Sequence, residues 1–121
     1  MVAPKRSKYF NRKVVKNGET FDSVREYERH LVLLDMQTRG EIKNLERQPR
    51  FQMKIDGKVI CTYVPDWKYL VVRDEPVKIA PGMTRFADVV CEDAKGYQTA
   101  EFKLKFRLAK ALYPEIDWRL S

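Results

Sequence analysis

Two short stretches hold side chains able to do chemistry together: YVPDWKY at 63–69 and FADVVCEDAKG at 86–96. The second begins as an apolar strand, Val89-Val90-Cys91, and ends in Glu92, Asp93 and Lys95 before Gly96. Side chains along a strand alternate between faces, so Asp93 and Lys95 share one face while Glu92 and Ala94 share the other. In the first stretch Pro65 lacks the N–H that a strand ladder needs, which implies a bend that re-aims Asp66. Two carboxylates brought together repel unless a proton or a cation sits between them. A hard cation such as Mg2+ is held by one or two carboxylates together with waters and phosphate oxygens. A lysine on the same face can orient a water or steady negative charge developing on a phosphate. Asp66, Asp93 and Lys95 are thus the equipment of metal-assisted phosphodiester hydrolysis.

Each group also has a structural role open to it. Asp93 and Lys95 could form a same-face ion pair, although beside Val89-Val90-Cys91 such a pair would be partly buried for little net gain. Asp66 beside Pro65 fits a turn. Glu26 lies three residues after Ser23, the spacing of a helix capping box. His30, one turn beyond Glu26, reads as structural or surface rather than catalytic. Glu92, on the other face from Asp93, is expected to pair with a basic neighbour.

Several elements must position these residues. Asn17-Gly18 predicts a short hairpin. A helix is expected over 23–39, closed by Gly40, with Val24, Tyr27, Leu31 and Leu34 as its apolar stripe. Strand-like runs follow at 50–55 and 58–72, joined by Asp56-Gly57. The segment 73–85, with two prolines and a glycine, reads as a loop, and 86–95 as the next strand. A second helix over 99–112 stops before Pro114, and 115–120 forms a last strand. On the second helix Phe102, Leu104, Phe106, Leu108, Ala109, Leu112 and Tyr113 make an apolar arc. Lys103, Arg107 and Lys110 fall opposite it, and Lys105 projects from within it, by snorkelling or into a polar pocket. The order is helix, three strands, helix, strand.

The chain has 121 residues, 44% hydrophobic and 34% charged, which suits one globular domain. No apolar run approaches the roughly 20 residues of a membrane helix, and no signal-peptide core follows the basic start, so a cytoplasmic protein is expected. Cys61 and Cys91 fall in predicted strands and read as reduced, buried thiols. The net charge is +7. Residues 1–16 carry Lys5, Arg6, Lys8, Arg12, Lys13 and Lys16 without an acid, and 1–11 reads as a flexible basic arm. With Lys103, Lys105, Arg107 and Lys110, this is the footprint of a phosphate-rich partner, nucleic acid.

Pro65-Asp66 followed by Asp93-Ala94-Lys95 resembles the PD-(D/E)XK nuclease superfamily, whose core has this same order of helices and strands. FDSVRE at 21–26, GEIKNLERQPRF at 40–51 and KGYQTAEFKLK at 95–105 are similar to a small phage and prophage family of endonuclease-like proteins. That family is related to Holliday-junction resolvases and to the end-cutting subunit of certain transposons. The likeness covers roughly residues 8–113 and leaves the long segment 73–85 unexplained. It implies a single restriction-endonuclease-like α/β domain, a central mixed sheet flanked by helices. It implies an active site of Glu26, Asp66, Asp93 and Lys95. Mg2+, replaceable by Mn2+, would be held by Asp66, Asp93 and the Ala94 carbonyl, with Glu26 a ligand directly or through water. The implied partner is branched or junction DNA, cut by a homodimer in the cytoplasm of a bacterial host. With no separate recognition domain, cutting directed by DNA structure is expected over cutting directed by sequence. Two other readings stay open: a non-catalytic basic nucleic-acid-binding module, and a cutting subunit active only within a larger recombination or transposition complex.

Overall fold

The computed structural model describes residues 13–121 and opens with a hairpin whose turn is dictated locally. Asn17 (φ 52°) and Gly18 (φ 78°) are both left-handed, the geometry that matches the twist of the strands they join, β1 (Val14–Lys16) and β2 (Glu19–Phe21). Helix α1 (Val24–Thr38) starts on Ser23, whose Oγ accepts from the Glu26 N–H at 3.1 Å. It ends at Gly40, whose φ of 79° an L side chain would resist. The remaining elements are β3 (Ile42–Arg47), β4 (Phe51–Ile55), β5 (Lys58–Tyr63), β6 (Trp67–Ala80), β7 (Met83–Asp93), α2 (Ala100–Leu112) and β8 (Asp117–Leu120).

Four strands form the central sheet in the order β3-β6-β7-β8. The first three are antiparallel, and β8, reached through α2, runs parallel to β7. β4 and β5 form a separate hairpin inserted between β3 and β6. The result is a small single-domain α/β protein with a mixed sheet and two helices. No helix among the described residues is long and apolar enough to cross a membrane.

The sheet's strands differ from those expected. Its first strand is 42–47, a polar stretch with a register shift between Lys43 and Glu46 where Asn44 turns left-handed (φ 56°). The run 50–55 belongs instead to the inserted hairpin. The run 58–72 divides around Pro65 into β5 and β6, because proline offers no ladder donor. Segment 73–85 is not a loop: β6 continues to Ala80, turns at Gly82 (φ 76°) and returns as β7. Pro76 is absorbed by the register shift between Val72 and Val77. Pairing with β3 ends at Val71, so beyond it β6 and β7 form a ribbon of two strands.

Each face of the sheet carries its own core. On one face Leu33 of α1 packs with Ile42, Trp67, Tyr69 and Val90 of the sheet. On the other face Met53, Tyr63, Cys91, Phe102, Phe106, Ala109 and Trp118 join the β4–β5 hairpin, α2 and β8. Val90 and Cys91 point into opposite cores, as alternation requires; each large side chain so buried contributes about 1.5–3 kcal/mol. Both cysteines are free, Cys91 buried and Cys61 half-buried. Two stripes need correction. α1 buries Glu26, His30 and Leu33 and leaves Val24, Leu31 and Leu34 exposed. Its inward face carries Glu26 and His30 ahead of Leu33, and these two polar groups are satisfied by distant partners, so apolar periodicity points the wrong way. On α2, Leu104 is 66% exposed and lies outside the buried arc.

Candidate active site

Sheet register brings the two aspartates together. Trp67 pairs with Glu92 across β6 and β7, so the next residues outward, Asp66 and Asp93, stand opposite each other. The break at Pro65 leaves Asp66 leading into β6 while Asp93 closes β7. The Ala94 N–H donates to Asp66 Oδ2 at 2.8 Å, and the Asp66 carbonyl accepts from the Gln48 N–H at 2.9 Å. Burial, then the hydrogen bond and charge of Asp93, then the charge of Glu26, push the Asp66 carboxyl up to about 9; the Ala94 N–H pulls the other way. The two carboxyls are close enough for the charge of one to resist ionisation of the other.

Asp93 is 1% exposed. Its Oδ2 accepts from the Tyr63 hydroxyl at 2.5 Å. Its Oδ1 is buried without a hydrogen-bond partner, with Lys95 Nζ at 3.6 Å. The Lys95 ammonium lies 4.9 Å from the centre of the Phe102 ring, which shields one side of it from water. Backbone bonds fix this stretch beside β8: the Ser121 N–H donates to the Asp93 carbonyl at 2.9 Å, and the Lys95 N–H to the Ser121 carbonyl at 3.3 Å. Asp66, Asp93 and Lys95 are therefore gathered at one end of the sheet.

Glu26 is near enough for Asp66 to feel its charge, yet both of its oxygens are engaged. Oε2 accepts from the Asp22 N–H at 2.5 Å, closing the helix cap, and Oε1 accepts from Arg47 Nη2 at 3.2 Å. Arg47 also donates to the Thr20 carbonyl and lies over the Phe21 ring, 3.9 Å from its centre. Tyr63 and Arg47 were missed in the sequence. Tyr63 had a signal: it stands two residues before Pro65, and a tyrosine in a buried run needs a partner for its hydroxyl.

Across the sheet, Glu92 is a satisfied structural acid. Arg29 Nε and Nη2 reach Glu92 Oε2 and Oε1 at 2.6 and 2.9 Å, and the Tyr69 hydroxyl donates to Oε1 at 2.5 Å. Burial raises its pKa, but these bonds outweigh it and hold Glu92 below its ordinary range. His30 Nδ1 accepts from Trp67 Nε1 at 3.1 Å, and burial, then the charge of Arg47, lower its pKa. His30 is thus a neutral core residue.

Among the described residues no three His, Cys, Asp or Glu side chains gather into a metal cage. The fit of a cation must be judged on the aspartate pair. Asp93 Oδ1 is buried without a hydrogen bond, and burial and then Asp93 raise the Asp66 carboxyl beside it, so a cation seated between the two would relieve the cost of ionising both. A hard cation that asks only one or two carboxylates of the protein fits there.

Of the basic residues, Lys103, Arg107 and Lys110 are exposed on α2, and Lys13 is exposed ahead of β1. Lys105 is half-buried and tied to Glu101 at 3.1 Å, so it snorkels along the helix. Lys5, Arg6, Lys8 and Arg12 lie outside the described residues, as does the basic arm expected over 1–11.

A family model described as "Protein of unknown function (DUF1064)" matches residues 6–121. No curated protein and no solved structure matches the chain.

Proposed function

From the premise that the chain belongs to the DUF1064 family, which brings no activity with it, we propose that it is a metal-dependent endodeoxyribonuclease. The observation that carries this reading is the buried Asp93 Oδ1, without a hydrogen bond, beside Asp66 and 3.6 Å from Lys95 Nζ. A decorative ion pair has no need of a second, half-buried carboxyl pushed up to about 9 at its side. The strand order lends support: a helix, three antiparallel strands, a helix and a last strand parallel to the third follow the order that the nuclease resemblance implies, with the β4–β5 hairpin as an addition to it.

Asp66 and Asp93 would hold Mg2+ or Mn2+, with the Ala94 carbonyl and, directly or through water, Glu26. Such an ion supplies Lewis acidity at the phosphate and a water of lowered pKa. Tyr63 holds one oxygen of Asp93 and leaves the other turned to the site. Lys95, partly desolvated by Phe102, orients the attacking water or neutralises charge growing on the phosphate. Lys103, Arg107 and Lys110 hold the DNA backbone without reading bases, which favours branched or junction DNA cut by a homodimer. One observation favours the rival of a non-catalytic binding module: both Glu26 oxygens are already bonded within the protein.

Incubating supercoiled, linear and four-way-junction DNA with protein in Mg2+, Mn2+ or EDTA decides between them. Metal-dependent nicking is expected, abolished by Asp93→Asn and by Lys95→Ala. Absence of metal-dependent cutting on every substrate would favour the binding module.

A further inference from the structure

Away from the aspartates, the β4–β5 hairpin and the end of α2 enclose a groove of about 430 Å³ lined by Arg50, Phe51, Gln52, Lys54, Thr62 and Tyr113. Its chemistry is one-sided: two cations, two aromatic rings, an amide and a hydroxyl, and no acid. Arg50, immediately ahead of β4, and Gln52 and Lys54 within it are exposed and by alternation fall on one side, opposite to the buried Met53 and to Phe51. Their steps of two residues span about 7 Å each, so Arg50 and Lys54 stand about 14 Å apart along the strand. Among the described residues neither Arg50 nor Lys54 is ion-paired. Tyr113 is fixed at the rim by its hydroxyl, which donates to the Gln52 carbonyl at 2.7 Å. Phe51 and Tyr113, both half-buried, meet edge to face with ring centres 5.4 Å apart.

Cations repeated along an extended strand match a polyanion with a regular step between charges. The half-buried Tyr113 ring at the rim beside them, backed edge-on by Phe51 from the core side, matches a flat base that has lost its stacking partner. A duplex hides its bases and presents only phosphate, so the ring would have nothing to hold. We infer that this groove binds single-stranded nucleic acid, Arg50 and Lys54 taking phosphates and the Phe51–Tyr113 pair taking an unpaired base. The site's position joins it to the rest of the surface. Lys110 lies one turn before Tyr113, and Phe102, which covers Lys95, lies 11 residues before it, about 16 Å along α2. The basic face of the helix thus runs from the aspartates toward the groove. A strand seated there would reach the scissile phosphate within a few nucleotides. That last step rests on the nuclease reading; binding in the groove does not.

The test is anisotropy of labelled oligo-dT and of a duplex of equal length, in EDTA, with wild type and Arg50→Ala/Lys54→Ala. Both side chains are exposed, so the fold survives their loss. Expected are a roughly tenfold or greater loss of oligo-dT affinity and a salt slope smaller by about 1.4, two single-strand phosphate contacts. Duplex affinity should stay unchanged. Tyr113→Leu should weaken oligo-dT by about 5- to 100-fold through lost stacking. Unchanged oligo-dT binding in the double variant, equal losses on duplex, or displacement by equimolar dTMP would overturn the inference. Oligo-dT binding without metal-dependent cutting leaves the groove standing and removes the nuclease. Cutting with oligo-dT affinity indifferent to Arg50 and Lys54 does the reverse.

Discussion

Replacing Asp66 by Asn should make the metal-free protein more stable at neutral pH, by an amount that grows with pH. In the unfolded chain Asp66 ionises near 3.8; in the fold, burial and then Asp93 push it up to about 9. Between those values the native state keeps a proton that the unfolded state releases, so stability falls as pH rises, by about 1.4 kcal/mol per pH unit. The penalty is near zero at pH 4, is about 4 kcal/mol at pH 7 and is still rising there. Asn has the same shape, still accepts from the Ala94 N–H and can donate to Asp93, yet has no charge to suppress. Urea unfolding in EDTA at pH 4, 5.5 and 7 measures the difference. The two proteins should be nearly equal at pH 4 and the variant should be clearly ahead at pH 7. Saturating Mg2+ should then stabilise wild type, by about 2.7 kcal/mol at 100 times its Kd, and leave the variant unmoved. A variant less stable than wild type at pH 7, or a difference independent of pH, would show that the two carboxyls are not in conflict.

Two further substitutions separate the faces of the sheet. Tyr63→Phe removes the hydrogen bond that the tyrosine hydroxyl donates to Asp93 Oδ2, and calorimetric Mn2+ affinity should fall about 10- to 100-fold; unchanged affinity would mean that Tyr63 only packs. Glu92→Gln weakens the paired charge of Arg29 and should lower stability by about 1–3 kcal/mol while metal-dependent cutting persists; lost cutting in a folded variant would assign Glu92 to the site.

The site was more legible than the sheet around it, for a physical reason. Alternation is local, so the shared face of Asp93 and Lys95 and the opposite face of Glu92 follow from three consecutive positions. Caps are local too, and Ser23 and Thr99 each accept from the N–H three residues on. What escaped depends on distant partners. β3 hides behind Asn44, whose left-handed turn shifts the register and spoils alternation. The inward face of α1 is chosen by Arg47 on Glu26 and Trp67 on His30, 21 and 37 residues away. A period of 3.6 cannot report such bonds. Segment 73–85 was hidden by Pro76, which reads as a strand breaker but lies where the register of β6 and β7 shifts.

β8 has a bearing on how the chain survives its own folding. It spans four residues, and its register with β7 matches Val90 to Asp117 and Asp93 to Leu120. Without it, β7 would present Val89-Val90-Cys91 along an open row of N–H and C=O groups, flat and apolar, a template for another chain's strand. β8 moves that boundary outward and changes its character. The new edge is short and bears Asp117 and Arg119, ion-paired at 2.8 Å, an edge that gives a neighbour little to add to. Its pairing is parallel and must wait for α2 to cross over, the slowest kind of contact to close. The interval before β8 docks is therefore when this protein is most prone to aggregate, and transient opening of those four residues would return it to that state.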